Sequence, residues 1–218
     1  MSVTFPLSIA DFFGTLALAQ AQFRLGGNLV TSETGAGEVL PAARGARLWS
    51  GRVTLTPGRA VAFEALSAKI DDLGRADAIF MVEHPFMAFP QGDPTGTILA
   101  SATPTVQAKA ANAHVFSVGG LPAGYAVSAG DHLSIAFGAG AARRSYHRVR
   151  TGAVVSGGIA ANIHVNPPLP ASVALGNAVQ LLRPALKARM VPASWDAPAL
   201  DPGDLVGASG FDWTQTLE

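Results

Sequence analysis

Five histidines are the side chains of this sequence best suited to acid–base or metal chemistry. They are His84, His114, His132, His147 and His164. The last three fall in strands that are predicted to be neighbours, but neither a tight ligand spacing nor carboxylate partners accompany them, as metal sites usually require. The sequence therefore predicts isolated surface or half-buried histidines and no metal site.

Patterns for nucleophilic or hydrolytic catalysis are absent from the sequence. It contains no Gly-x-Ser-x-Gly nucleophile elbow and no His-Glu-x-x-His helix. Asp71 and Asp72 adjoin at the end of a predicted helix, where solvated carboxylates are expected. The Gly119-Gly120 turn precedes no predicted helix, so a phosphate-binding loop is not indicated there. We predict that the protein is not an enzyme and uses no cofactor.

A basic cluster is formed by Arg143, Arg144, Arg148 and Arg150. Their positions along a predicted strand divide the charges between its two faces. Lys/Arg clusters neutralise phosphates well, and arginines also form bidentate hydrogen bonds to the carboxylates of neighbouring subunits. We favour inter-subunit contacts over contacts with DNA for these four residues.

The composition also argues against a charge-driven ligand. The 218 residues include 15 Lys plus Arg and 15 Asp plus Glu, so no charge excess indicates sequence-specific nucleic-acid binding or a membrane surface. Charged residues make up 14% against a usual ~25%, which indicates either a surface covered by other chains or simply an Ala/Gly-rich protein. The sequence lacks cysteine, a signal-peptide pattern and an apolar run long enough to span a membrane.

The stretch from Gly130 to Pro170 predicts three successive β-strands. Its first strand alternates large apolar with small residues, the period of a half-buried strand: Leu133, Ser134, Ile135, Ala136 and Phe137. The second strand is predicted to contain Tyr146, Val149 and Val154-Val155, and the Ser156-Gly157-Gly158 turn reverses it into the third. Two prolines after Asn166 end the sheet, because proline cannot donate to a ladder. This stretch is predicted to be architectural.

A strand, helix, strand unit precedes it. Leu48–Thr56 and Ala78–Glu83 are the predicted strands. The helix is predicted over 57–73, with Thr56 as its cap, proline at its first position and Gly74 as a left-handed cap at its end. An apolar stripe at helical spacing is predicted to pack on the sheet: Phe63, Leu66, Ile70 and Leu73.

Two connecting segments have compositions that suggest contacts with partners. Val30–Gly45 is rich in Thr, Ser, Gly and Ala, which predicts a loop or flexible arm that becomes ordered on a partner. Pro85–Pro94 contains Phe86 and Phe89. This segment is either an exposed interaction patch or a lid on the helix–sheet core, and we favour the lid.

The order of these segments resembles that of the distal tail proteins of long-tailed (siphovirus-like) phages and gene transfer agents. The residues that carry the resemblance are Gly130-Asp131, Arg143-Arg144 with Tyr146, the Gly157-Gly158 turn, Asn166-Pro167-Pro168-Leu169, Leu48–Leu55, Phe86–Gly92, Val179–Pro184 and Met190. Together they extend over roughly Leu48 to Met190.

The resemblance implies a mainly β protein of two modules. Residues 1–94, completed by 183–218, are expected to form a ring-forming β-sandwich or split-barrel module with one packed α-helix. Residues 95–182 are expected to form a small inserted β-barrel module.

The implied function is that of a structural virion protein. It would form a ring, as a homohexamer, at the tail tip or baseplate and join the tail tube protein to the baseplate hub and to receptor-binding or fibre proteins. Candidate inter-subunit contacts are the four arginines with Phe86 and Phe89. The alternative is a carbohydrate-binding β-barrel module for host-surface recognition, with Trp195 as the candidate glycan contact. A membrane association is not expected.

Overall fold

A computed structural model describes residues 4–27, 29–197, 200–201 and 205–218 of the chain. Strands account for 43% and helices for 10%, which confirms the predicted mainly β class with one helix. The strands are β1 (Leu18–Leu25), β2 (Leu29–Glu33), β3 (Val39–Ala43), β4 (Trp49–Leu55), β5 (Gly58–Arg59), β6 (Phe80–Glu83), β7 (Thr105–Lys109), β8 (Val115–Gly119), β9 (Ala126–Val127), β10 (His132–Phe137), β11 (Arg143–Thr151), β12 (Ala153–Val154), β13 (Ile159–Asn166), β14 (Val179–Gln180), β15 (Ala185–Met190), β16 (Leu200–Asp201), β17 (Leu205–Val206) and β18 (Ser209–Gln215). The α-helix is α1 (Ala60–Leu73), and two single turns of 3-10 helix cover Phe13–Thr15 and Ala139–Ala141.

One antiparallel sheet contains five strands in the order β1-β4-β18-β15-β6. Every second residue of β4 is buried, namely Trp49, Gly51, Val53 and Leu55, because alternate side chains of a strand face the same side. Phe211 and Trp213 are buried in the same alternating way on β18, and their alternation with Asp212 and Thr214 in the sequence favours such a strand. The buried stripe of α1 packs into the core that this sheet forms.

A second antiparallel sheet contains six strands in the order β14-β10-β11-β13-β8-β7. The three strands predicted between Gly130 and Pro170 are β10, β11 and β13, which lie side by side. Gly157 and Gly158 both have positive φ, 57° and 79°, as a tight hairpin turn of this kind requires. The second strand is shorter than predicted. It ends at Thr151, and Val154 belongs to the separate short strand β12, which pairs with β9.

The two sheets enclose two separate hydrophobic cores. The first core combines residues from Phe12 to Val82 with residues from Leu186 to Trp213. The second core is built from residues between Leu99 and Leu181. We propose that the chain has one module of residues 1–94 and 183–218 and an inserted module of residues 95–182. The two separate cores support this division.

Tyr146 links the two cores. It belongs to β11 in the second sheet, yet its fully buried ring packs in the first core. The Trp49 indole donates its Nε1–H to the backbone oxygen of Tyr146 at 2.9 Å, and the two rings meet edge to face at 5.5 Å. Arg183 forms a bidentate ion pair with Glu83 close by. The two parts of the chain therefore share a packed junction.

The helix begins and ends differently from the prediction. It starts at Ala60 rather than at residue 57, and Thr56 does not cap it. The reason is that Gly58 and Arg59 are extended and pair with β17 as a short strand, so they cannot also be helical. At the other end Gly74 has φ −70° and ψ −8°, which is right-handed. The predicted left-handed cap is wrong, since the Gly74 N–H still bonds to carbonyls of the last turn.

The segment predicted as a loop, Val30–Gly45, is largely a β-hairpin. Strands β2 and β3 pair over five residues each, from Leu29 opposite Ala43 to Glu33 opposite Val39. At the tip, the Thr34 N–H donates to the Glu38 oxygen at 2.9 Å and the Thr34 hydroxyl accepts from the Glu38 N–H at 3.1 Å. Turn hydrogen bonds thus give this low-complexity segment a defined shape.

Asp93 organises the chain where it enters the second core. Its side chain is fully buried, and Oδ2 accepts the Leu99 N–H at 2.9 Å. Desolvation opposes the charge, but the backbone N–H groups of residues 96–99 outweigh it and hold the pKa of Asp93 below its ordinary value.

We expect Asp93→Asn to lower the melting temperature by roughly 3–10 °C. The carboxylate has two acceptor oxygens and a negative charge for the converging backbone N–H groups, whereas the amide has one neutral acceptor oxygen. Thermal denaturation followed by circular dichroism measures the shift. Asp77→Asn is the matched control, since Asp77 forms an exposed ion pair with Arg75 and should change the melting temperature by less than about 2 °C. Equal shifts in the two variants would contradict the role of Asp93.

Candidate assembly interface

The hairpin β2–β3, called the arm below, is exposed along its whole length. All ten residues of its two strands are exposed. Four of them are large and apolar, with exposed fractions of 62% for Leu29, 40% for Val30, 57% for Val39 and 48% for Leu40. Large apolar side chains exposed in such a group are a feature of interaction sites, so the arm is a candidate interface.

Both faces of the arm are apolar. The register places Leu29 opposite Ala43 and Glu33 opposite Val39, and alternate residues share a face. Leu29 and Val39 therefore lie on one face, and Val30 and Leu40 lie on the other. An isolated two-stranded hairpin is marginally stable in water, and none of the described core residues covers it. The arm therefore exposes large apolar side chains on both of its faces.

The arm is a continuation of the β1–β4 pair. In that pair Leu25 lies opposite Trp49, and the Gly26 N–H then bonds to the Leu48 oxygen at 2.9 Å. Arg47 donates to the Gly26 oxygen at 3.1 Å and braces the base of the arm. The arm is therefore attached to the end of the β1–β4 pair at which Leu25 and Trp49 lie.

A cleft lies at the opposite end of the same two strands. It has a volume of about 310 Å³, and its apolar lining includes Ala17, Leu55, Pro57, Phe63 and Leu66. Lys69 is the charged residue of the lining, and its ammonium donates to the Asp11 backbone oxygen at 3.1 Å. We call this site the helix cleft, because α1 forms one wall.

The outer edge of the sheet beside the arm is also open. Strand β1 is the last strand on its side and pairs only with β4 among the described strands. An open edge presents unpaired N–H and C=O groups to another chain. Together with the arm, it makes this side of the molecule the candidate interface.

The four predicted arginines do not form one patch. Arg143, Arg148 and Arg150 are exposed and Arg144 is half-buried. Arg144 donates to Gln180 Oε1 at 2.7 Å, and the Arg148 guanidinium lies 5.8 Å from the Trp49 ring centre. Within the described chain none of the four forms an ion pair. Their inter-subunit role stays a prediction.

Phe86 and Phe89 lie on the surface. The exposed fraction is 75% for Phe86 and 41% for Phe89, so the lid interpretation is wrong for Phe86. The segment turns outward because backbone contacts hold it: the His84 ring accepts the Phe86 N–H, and Asp131 accepts the Gln91 N–H at 2.9 Å. The two rings are available for the contacts predicted for them.

Trp195, the candidate glycan contact, is half-buried against the first core. Its neighbour Asp196 is paired with Gly210 through the backbone and with Arg52 through an ion pair. The indole is thus partly used in packing. Carbohydrate binding at this residue stays a prediction.

The prediction of isolated surface or half-buried histidines is wrong for His132 and His147, which are both buried. His147 is fully buried, with Nδ1 2.8 Å from the Pro167 oxygen and Nε2 2.9 Å from the Ser145 hydroxyl. His132 stacks at the junction between His84, Trp49 and Tyr146, with ring centres 5.3–5.8 Å apart. Burial lowers the pKa of both His132 and His147 to about 4, so both rings are neutral at pH 7.

Sequence reasoning missed the arm and the junction for different reasons. The arm had a usable signal, since two apolar-containing segments flank a five-residue stretch with two glycines, a hairpin pattern. The junction had none, because His84 and His132 are far apart in sequence: His84 follows β6 of the first sheet, and His132 begins β10 of the second. Only the fold brings them together.

The described residues contain no group of three or more His, Cys, Asp or Glu side chains arranged to hold a metal ion. Among them, no helix is both long and apolar enough to cross a bilayer. No model of a known protein family matches the chain, and a search of curated proteins finds no match either.

Proposed function

We propose that this chain is a structural protein that assembles into a ring at the tip of a phage-like tail. The ring joins the tail tube to a baseplate hub and to receptor-binding proteins. The observation that carries the proposal is the arm, which exposes apolar side chains on both faces. A monomer in water gains nothing from such an arm, whereas neighbouring copies bury it.

The low charge of the chain gives further support to the proposal. The chain has a formal net charge of zero and few charged residues, which suits a protein surrounded by other chains more than a freely diffusing one. The segment order that resembles distal tail proteins agrees with this role and implies six copies. A ring requires heterologous interfaces, in which one patch meets a different patch on the next copy.

The proposal is tested by the oligomeric state of the purified chain. We expect native mass spectrometry and negative-stain imaging to show a closed ring of about six copies with a central hole. The arm variant Leu29→Ser, Val30→Thr, Val39→Thr, Leu40→Ser should remain folded and become monomeric.

The matched control replaces apolar residues of similar exposure elsewhere. Val61, Val154 and Leu175 have exposed fractions of 76%, 67% and 62%. The variant Val61→Thr, Val154→Thr, Leu175→Ser should still form rings. A wild-type chain that stays monomeric up to millimolar concentration, alone and with tail tube protein, would refute the proposed function.

A further inference from the structure

We propose that the arm of one copy docks in the helix cleft of the next copy. This inference rests on the proposed ring and specifies which two surfaces form its repeating contact. The ligand of the cleft is then an apolar, acidic β-hairpin supplied by a second copy of this chain.

The positions of the two surfaces carry the argument. The cleft lies where β1 begins and β4 ends: Leu18 lies opposite Leu55, and the Thr56 N–H bonds to the Ala17 oxygen at 2.8 Å. The arm starts at the other end of these strands. Seven residues separate the two ends, or roughly 23 Å at 3.3 Å per residue.

The arm and the cleft of one copy are separate from each other. The arm is joined to β1 and β4 at the end of these strands opposite the cleft, its paired strands span roughly 16 Å, and none of its residues lines the cleft among the described residues. Donor and acceptor surfaces at opposite ends of one element produce a head-to-tail contact. Such a contact forms a closed ring when the rotation between copies is suitable.

The chemistry of the two surfaces also matches. Residues 29–43 include two acidic residues, Glu33 and Glu38, and no basic residue. Both acids lie at the tip of the arm, beside Val39 and Leu40. The cleft offers an apolar wall with Lys69 at its rim. Apolar burial supplies affinity, and the opposite charges fix the orientation of the arm.

A charge exchange tests this pairing in the full-length chain. Lys69→Glu should raise the concentration of half-maximal assembly at least roughly tenfold, and so should Glu33→Lys with Glu38→Lys, because each places like charges together. The three substitutions combined should restore assembly to within about threefold of the wild type. Mass photometry over a dilution series measures these concentrations.

Cysteine trapping provides a second readout that does not depend on charge. The chain contains no cysteine, so an introduced pair reports one contact. Leu40→Cys with Ala65→Cys, on the arm and in the cleft, should give a ladder of disulfide-linked copies under mild oxidation. Leu40→Cys with Ala68→Cys is the control, because Ala68 is exposed on α1 but does not line the cleft.

The outcomes separate the two proposals. Arm docking in the cleft would be overturned, with the ring left intact, by three results together. Rings would form equally well in all charge variants, the Leu40→Cys, Ala65→Cys pair would give no disulfide ladder, and the arm variant would still be monomeric. A wild-type chain that never assembles would overturn the ring itself. Rescue by the combined charge exchange, together with the disulfide ladder, is the result we expect.

Discussion

Acidification from pH 7 to pH 4.5 is expected to lower the free energy of unfolding by roughly 5 kcal/mol, because two buried histidines must stay neutral in the folded chain. The pKa of both His132 and His147 is about 4 in the folded state, against about 6.5 in an unfolded chain. Below pH 6.5 the unfolded chain binds protons that the folded chain does not. The contribution of the two histidines to the free energy of unfolding is therefore fully present above pH 6.5, and it is lost as the pH falls toward 4.

The two histidines differ in the groups that surround them. Burial is the main cause for both, and the nearby His84 and Arg148 lower the pKa of His132 further. For His147 the Pro167 carbonyl partly offsets burial. The slope is about 1.4 kcal/mol per pH unit for each histidine, or roughly 2–3 kcal/mol over this range. Stopping at pH 4.5 keeps most protonation of carboxylates such as Asp93 outside the measurement.

His132→Phe isolates the contribution of the junction. The ring of His132 forms no hydrogen bond among the described residues, and its Nδ1 is buried without a partner, so a phenylalanine preserves the ring packing and removes the proton site. We expect this variant to lose about half of the pH dependence. Urea denaturation at pH 7, 5.5 and 4.5, followed by tryptophan fluorescence, measures it.

His164→Phe serves as the control for removing a histidine. His164 is half-buried on β13 and lies outside the junction, so this variant should keep the wild-type pH dependence. If His132→Phe also keeps it in full, then the junction does not account for the acid sensitivity.

Gly51→Ala is expected to destabilise the protein by more than about 4 kcal/mol, enough to leave the chain unfolded or insoluble. A Cβ atom at this position would lie 1.9 Å from the Gln22 oxygen and 2.7 Å from the Trp213 ring. The first atom belongs to the backbone of β1 and the second to a fully buried indole. Neither can move without separating β4 from its neighbours.

Gly35→Ala is the matched control, because a Cβ atom at Gly35 meets nothing within 4 Å. We expect it to change the melting temperature by less than about 3 °C, whereas Gly51→Ala should yield no cooperative transition. Soluble Gly51→Ala protein that melts within a few degrees of the wild type would contradict the packing described for β4 and β18.

The positions of several elements follow from the sequence alone, because their signals are local. Alternating apolar residues identify β4, β10 and β18, and the stripe through Phe63, Ile70 and Leu73 identifies α1. These periods depend on residues within a single strand or helix. The mainly β class with one helix was predictable for the same reason.

The tertiary structure decided what depends on distant partners. Helix α1 begins at Ala60 because Gly58 and Arg59 pair with β17, a strand about 150 residues later in the chain. Likewise, the pairing of β1 with β4 sets the arm and the helix cleft at opposite ends of one sheet.

The histidine junction depends on the same kind of long-range packing, because β6 and β10 belong to different sheets. Sequence periodicity carries no information about such pairings. The candidate interface and the acid-sensitive junction are therefore products of the fold, while the strands and the helix that build them were already evident in the order of the residues.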